Sequence, residues 1–419
     1  MQTDLEYAQQ LDSQDELASY RAAFVHDGDL IYMDGNSLGR LPCVTVDRMG
    51  MAVEQEWGRD LIRGWHHGWY DAPQRIGDKI ASLLGAGPDQ VLTCDSTSTN
   101  LFKLTLAALA LRPERRRIVS DTLNFPSDLY IIQGCIDLLG GRHELALAPS
   151  IDDMRIDSAA LAGMIDEQTA LVTLSHVVFK SGFLYDMAAV TARAHEVGAL
   201  VLWDLSHSAG VVPIALDSCG ADFAVGCCYK YLNGGPGAPA YLYVRRDLQD
   251  QARSPIWGWF GQHAPFAFGL EYHPAAGIDR FLAGTPPMLS LLAIEPALDM
   301  LLEAGVERMR KKSIHLTEYA IDLYDALLAS AGYTLGTPRE PELRGSHASV
   351  RHPEGYRINR SLIEELDVLP DFREPDNIRL GLAPLTTSFA DVWHTVERLR
   401  RAVDQQLYLR YPAERLAVT

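Results

Sequence analysis

The stretch from Ala199 to Val244, ALVLWDLSHSAGVVPIALDSCGADFAVGCCYKYLNGGPGAPAYLYV, restricts the fold more than any other part of the chain. Three short apolar runs, Ala199–Trp203, Ala221–Cys228 and Pro239–Val244, alternate in it with polar, glycine-rich corners. Continuous apolar runs of this length suit strands of a parallel sheet covered on both faces, and a helical pattern, Met187–Glu196, precedes the first. The first run ends in Asp204-Leu205-Ser206-His207, the second in Tyr229-Lys230 and the corner Tyr231-Leu232-Asn233-Gly234-Gly235-Pro236-Gly237. Open α/β sheets bind ligands at the carboxyl ends of their strands, so Asp204, His207 and Lys230 converge on a candidate site. Taken singly, each of these polar residues is an ordinary cap or turn residue.

A lysine at the floor of a cleft condenses with aldehydes once its amine is desolvated. Pyridoxal 5'-phosphate is the aldehyde cofactor that needs such a lysine, together with an acid at its ring nitrogen. Asp204 fits that second role. The phosphate needs hydroxyls and a helix N-terminus. Asp95-Ser96-Thr97-Ser98-Thr99-Asn100, before the helical pattern of 101–111, offers them, although the same residues also read as a plain N-cap.

The two corner motifs resemble those of kynureninase, a pyridoxal-phosphate enzyme of the aspartate-aminotransferase fold, fold type I. Asp34-Gly35-Asn36-Ser37-Leu38-Gly39, Asn124-Phe125-Pro126-Ser127-Asp128 and Trp257-Gly258-Trp259-Phe260-Gly261 are similar to three further elements of that family. The matches run from Asp34 to Arg379. The resemblance implies an α/β fold: a large domain with a mostly parallel, seven-stranded-type sheet covered by helices, and a smaller α+β domain. It implies residues 1–50 as an N-terminal segment completing the small domain, 51–290 as the cofactor domain and 291–419 as the C-terminal small domain. Catalysis falls to Lys230, Tyr229 and Asp204. Cofactor contacts fall to Thr97, Ser98, Phe125 (stacked on the ring), Ser127, Asp128, Ser175, Asp204, His207, Tyr229 and Lys230. The family is a homodimer with its site at the interface, so Trp259 and Thr285 are expected at the partner's phosphate; some members carry asparagine where Thr285 stands. Ser37, His67 and Arg379 are expected at the substrate, Arg379 as a bidentate clamp for its carboxylate.

Composition agrees with a soluble enzyme. With 419 residues, 47% of them apolar, the chain can bury a large core in two or three domains. A net charge of −18 and no basic run longer than Arg115-Arg116-Arg117 argue against nucleic acid and anionic membranes as partners. The six cysteines show no metal or disulfide spacing, so buried free thiols in the cytoplasm are expected. The acidic N-terminus lacks the basic and apolar regions of a signal peptide, and no run of ~18 apolar residues indicates a membrane span.

Elsewhere, Ser13 and Glu16 read as a capping box opening a helix to Phe24. Leu30–Met33 reads as a strand leading into the Gly35 and Gly39 turn, where positive φ or close backbone approach calls for glycine. Strands over Gln90–Cys94, Arg117–Ser120, His143–Ala148 and Leu171–His176 alternate with helices near 97–111, 127–139 and 158–166, as a parallel sheet requires. Adjacent His66 and His67 lack a third ligand at metal spacing, and no metal is expected. Amphipathic helices follow Leu289, then strands at Ser346–Val350 and Asn377–Leu382, a helix near Tyr356–Leu366, and a closing helix from Phe389.

Gly235-x-Gly237-x-x-Ala240 imitates a dinucleotide fingerprint, but Pro236 and Pro239 interrupt it and a strand follows where a helix is needed. Asp204, Ser206 and His207 share one short turn, too close to form a hydrolase triad. Other fold-type-I enzymes remain alternatives: an aminotransferase, a desulfurase (which would need a cysteine after Cys228, and none occurs), or a catalytically silent cofactor-binding sensor. The activity implied is hydrolysis of the Cβ–Cγ bond of L-kynurenine, or its 3-hydroxy form, to an anthranilate and L-alanine, a step of tryptophan degradation.

Overall fold

The computed structural model describes residues 2–26 and 28–414. An N-terminal strand, β1 (Ile31–Tyr32), precedes seven strands that form the main sheet: β2 (Val91–Thr93), β3 (Arg117–Asp121), β4 (Glu144–Ala148), β5 (Thr169–Ser175), β6 (Leu200–Asp204), β7 (Phe223–Cys227) and β8 (Ala240–Val244). Their order is β2-β8-β7-β6-β5-β3-β4. The five strands from β7 to β4 are parallel, and β8 runs antiparallel to both β7 and β2. Every residue of β5, β6, β7 and β8 is buried, which explains why these strands read as unbroken apolar runs rather than alternating ones. Apolar cores line both faces, one including Trp203, Val201 and Tyr241, the other Leu200, Leu202 and Phe223.

A second sheet, in the order β12-β13-β10-β9, is antiparallel and consists of β9 (Thr334–Leu335), β10 (His347–Arg351), β12 (Asp371–Arg373) and β13 (Asn377–Gly381). The remaining strand, β11 (Val368–Leu369), pairs in parallel with β1. Ala8, Ile31 and Met33 enter the same core as Leu316, Ile378 and Val396, so the N-terminal segment is fastened to the C-terminal part of the chain. At Asp34, the chain bridges to Gly381 on β13.

The helix expected from Ser13 to Phe24 forms differently. Asp4 caps a helix over Leu5–Ser13 by accepting from Tyr7 N at 2.8 Å, and only a 3₁₀ turn follows at Ala18–Ala23. The local cap at Asp4, not Ser13, starts the helix, and Asp12 near its end accepts from the first backbone N–H groups of the last helix, Phe389–Asp404, at 2.7 and 3.0 Å. Neither Gly35 nor Gly39 has a positive φ. Gly39 is needed for close approach instead: a Cβ there would lie 2.3 Å from both the Lys230 carbonyl oxygen and Asn233 Oδ1. All six cysteines are free, four of them buried, with Cys219 half-buried and Cys43 exposed, contrary to uniform burial. Among the described residues, no helix is long and apolar enough to cross a membrane, and no His, Cys, Asp and Glu cluster could hold a metal.

Candidate active site

The carboxyl ends of β5, β6 and β7 place Ser175 and Asp204 side by side in register, with Lys230 just beyond β7. Lys230 Nζ lies 2.9 Å from His207 Nε2, 5.9 Å from the centre of the Phe125 ring and 5.8 Å from that of Tyr229. Phe125 is 40% exposed, an open aromatic face beside an amine, and its edge is braced by Phe179 at 5.2 Å. Gly39 N donates to the Tyr229 carbonyl at 2.7 Å, so the N-terminal turn clamps the lysine corner from outside.

Asp204 Oδ1 accepts from Ser206 N at 2.8 Å. Asp128, on the helix Pro126–Leu138, is buried against it, and burial together with the Asp204 charge pushes the Asp128 carboxyl well above the ordinary range. Asp128 thereby favours its protonated form, in which it can hydrogen-bond its neighbour Asp204. The Cys227 thiol and burial hold the Tyr229 phenol above its usual pKa, so it stays protonated. Burial, then the charges of Lys230 and Arg379, keep His207 neutral.

Two helix N-termini meet nearby. Ser96 caps Thr97–Leu111 through Thr99 N, leaving the Thr97 and Ser98 hydroxyls for other use, and Ser98 Oγ lies 3.2 Å from Ser127 Oγ in the first turn of Pro126–Leu138. Paired N-termini with spare hydroxyls form an anion site. Ser175 reaches it indirectly, donating to Asn124 Oδ1 at 2.7 Å, while Asn124 donates to Ser120 Oγ at 3.0 Å.

Arg379, on β13 and 1% exposed, donates to the Phe179 carbonyl at 2.6 Å, to Ser37 Oγ at 2.7 Å and to the Asp371 carboxylate. Asn36, with its amide turned to satisfy both neighbours, accepts from Arg379 Nε at 2.8 Å and donates to Asp34 at 3.3 Å. Burial and the neighbouring Asp371 raise Asp34 to about 6. A Cβ on Gly381 would stand 2.0 Å from the end of the Asn36 amide, so glycine on β13 admits Asn36 to the arginine.

Ser37 and Arg379 thus meet, as do Lys230, His207, Tyr229 and Phe125, Ser98 and Ser127, and Asp128 and Asp204. Three residues lie on another surface. His67 is mostly exposed, 3.7 Å from Asp60; Trp259 packs edge-on against Phe260; and Thr285 is exposed beyond the strap in which Phe260 N donates to the Ala283 carbonyl. Their segments share one aromatic patch, because Trp65 and Tyr70 also pack on Phe260. Sequence reasoning missed Asn124, Asp371 and the Phe179 carbonyl. Asn124 and Asn36 stood inside quoted motifs; Asp371 and Phe179 carried no local signal.

The site residues fit pyridoxal phosphate on chemical grounds: an amine, an acid at the end of the neighbouring strand, an open aromatic face and a hydroxyl-lined anion corner. The fold is that of the cysteine desulfurase and C–S lyase class. An apo cysteine desulfurase from Thermococcus onnurineus NA1 superposes with a TM-score of 0.80 at 18% identity, over 92% of this chain and 98% of that one. A C-DES mutant with glycine covalently linked to its PLP cofactor superposes at 0.78 and 20% identity, over 91% and 98%. Sequence comparison narrows this further. Kynureninase of Pseudomonas fluorescens is 44% identical over 403 residues, 95% of each chain, and that of Burkholderia mallei (strain SAVP1) 44% identical over 421 residues, 99% of each. The profile of the kynureninase C-terminal domain matches residues 309–399. The chain belongs to the kynureninase family.

Proposed function

We propose that the chain hydrolyses the Cβ–Cγ bond of L-kynurenine or 3-hydroxy-L-kynurenine, releasing anthranilate or 3-hydroxyanthranilate and L-alanine, with pyridoxal 5'-phosphate as cofactor. The observation that carries the reading is Lys230, held between the Phe125 face, His207 and the Asp128–Asp204 pair, within a chain 44% identical to kynureninases along its length.

Pyridoxal phosphate, when bound, supplies an aldehyde for an amine and a ring that takes up electrons from the bonds broken. The residues supply the rest. Lys230 would hold the cofactor, and its amine would take the substrate's Cα proton and later return a proton, as base and then acid. Asp204, with Asp128 beside it, would hold a proton at the ring nitrogen. Phe125 would offer its face to the ring, Thr97, Ser98 and Ser127 would hold the phosphate, and Ser175 braces that corner through Asn124. Tyr229, protonated, donates to the carbon left after cleavage. His207 orients the cofactor beside Lys230. Arg379 clamps the substrate carboxylate, with Ser37 aligning the guanidinium.

Two copies complete the site. Trp257, Trp259, Phe266 and Phe268 are exposed beside His67 and Thr285, an apolar surface of the kind that marks an interface. Trp259 and Thr285 then serve the partner's phosphate, and His67 the substrate's aryl end. The cofactor domain takes in 51–290 and the small domain the described residues of 1–50 and 291–414, with Leu17, Phe24, Leu291, Leu298 and Met309 packing into the main-sheet core. The free thiols favour the cytoplasm.

Purified protein supplied with pyridoxal phosphate and L-kynurenine should release anthranilate, followed by fluorescence, and alanine in equal amounts. The 3-hydroxy substrate run in parallel ranks the two by kcat/KM. A shifted cofactor spectrum without either product would reject the assignment in favour of an aminotransferase or a sensor.

A further inference from the structure

The proposed chemistry leaves a second buried imidazole unused. His347, on β10, is 0% exposed, and its ring centre lies 5.6 Å from that of His207 at an interplanar angle of 57°. Ser349 pairs with Arg379 across the small sheet, so His347, two residues away on the same strand, shares a face with Arg379. Directly opposite His347 is Gly381, the residue that makes room for Asn36. His347 therefore sits where the small sheet meets the lysine corner.

Three nitrogens of this pair have no hydrogen-bond partner among the described residues: Nδ1 of His207 and both ring nitrogens of His347. An unsatisfied buried polar atom is costly, and folded proteins satisfy such atoms with protein groups or ordered water. Here the partners are present. No direct hydrogen bond joins the two rings, whose centres are 5.6 Å apart. The backbone of Val178 and Phe179 stands within reach of His347 on its other side. Both imidazoles are neutral, held so by burial and by the charges of Lys230 and Arg379. Each ring thus has one donor and one acceptor nitrogen, and the bond at one fixes the other.

With Lys230 as the donor of its 2.9 Å contact with His207 Nε2 in the cofactor-free chain, the ring proton of a neutral His207 falls on Nδ1. That proton needs an acceptor in the interior. We propose that His347 is a positioning residue for His207: through one buried water it accepts from His207 Nδ1–H and so fixes the tautomer that presents Nε2 as an acceptor to Lys230. His347 passes its own N–H to the Val178 or Phe179 carbonyl. The chain of bonds is then polarised in one direction, from Lys230 into the small sheet. Its consequence, that His207 steadies Lys230 and the cofactor in one orientation, rests on the proposed role of Lys230; the tautomer itself does not.

The test is long-range ¹H–¹⁵N correlation of the imidazoles in ¹⁵N-labelled wild type, His347→Gln and His347→Leu, each with and without added pyridoxal phosphate. Without pyridoxal phosphate, where Lys230 keeps its free amine, the expected result is an Nδ1–H tautomer of His207 in wild type and in His347→Gln, whose amide still accepts. His347→Leu should show Nε2–H or a mixture and hold pyridoxal phosphate about tenfold less tightly, the loss of roughly one hydrogen bond. A wild-type His207 protonated on Nε2, or a tautomer unchanged in His347→Leu, would overturn the proposal. If His347→Leu does not fold, the wild-type tautomer alone decides it. None of these readouts depends on kynurenine cleavage, so either claim can fail without the other.

Discussion

Asp371→Asn removes one charge from the site while keeping the shape of the side chain, and its effect can be worked out from the contacts of Arg379. Asp371 is 2% exposed; its carboxylate accepts from Arg379, from Ser37 Oγ at 3.1 Å and from Arg373 at 2.9 Å. Removing one partner of a buried ion pair costs about 3–5 kcal/mol, because the other charge is left without compensation. Arg379 keeps Phe179 O, Ser37 and Asn36, so the low end applies, about 3 kcal/mol. Urea unfolding of wild type and variant, with midpoints compared at equal slope, reads this directly. The variant should also gain more than wild type from added L-alanine, whose carboxylate supplies the missing charge to the guanidinium; a ligand at 100 times its Kd adds about 2.7 kcal/mol. A variant within about 0.5 kcal/mol of wild type, the range of an ordinary surface substitution, would refute the claim that Asp371 compensates Arg379.

Three further outcomes are expected. Arg379→Gln should raise the KM for kynurenine far more than it lowers kcat, since a carboxylate clamp contributes mainly uniform binding; an unchanged KM removes Arg379 from the substrate site. His207→Phe should retain measurable turnover but lose cofactor on dialysis, whereas full occupancy with no turnover would make His207 a chemical participant. Asp34 is raised to about 6 from an ordinary 3.8, so the folded chain binds more protons than the unfolded chain between pH 4 and 6. Its contribution to stability is full below the unfolded pKa and is lost as pH rises through about 6, at most about 3 kcal/mol; Asp34→Asn should flatten that fall in urea midpoints measured at pH 4.5 and 7, and identical profiles would contradict it.

Much of this site is legible from sequence because its main parts sit at strand ends, where local pattern and chemistry coincide. Asp204 closes an apolar run, Lys230 follows another, and Arg379 lies within Asn-Ile-Arg-Leu-Gly. The helix Thr97–Leu111 also announces itself through Ser96. What pattern does not carry is contact across the chain. Asp371 and Ser37 meet from positions far apart in sequence, and His347 faces His207 only because the small sheet docks there. The first helix starts at a local cap, Asp4 rather than Ser13, while Asp12 near its end answers the needs of Phe389 and Ala390, which no local propensity encodes. Gly39 was recognised as special, but its reason, the Lys230 carbonyl, emerges only in three dimensions.

The most direct measurement of the central claim is borohydride reduction of the protein loaded with pyridoxal phosphate, followed by peptide mass mapping. The expected result is one pyridoxyl-phosphate group, on Lys230, absent from Lys230→Ala. Label on another lysine, or none above background, would contradict the placement of the site at the ends of β6 and β7.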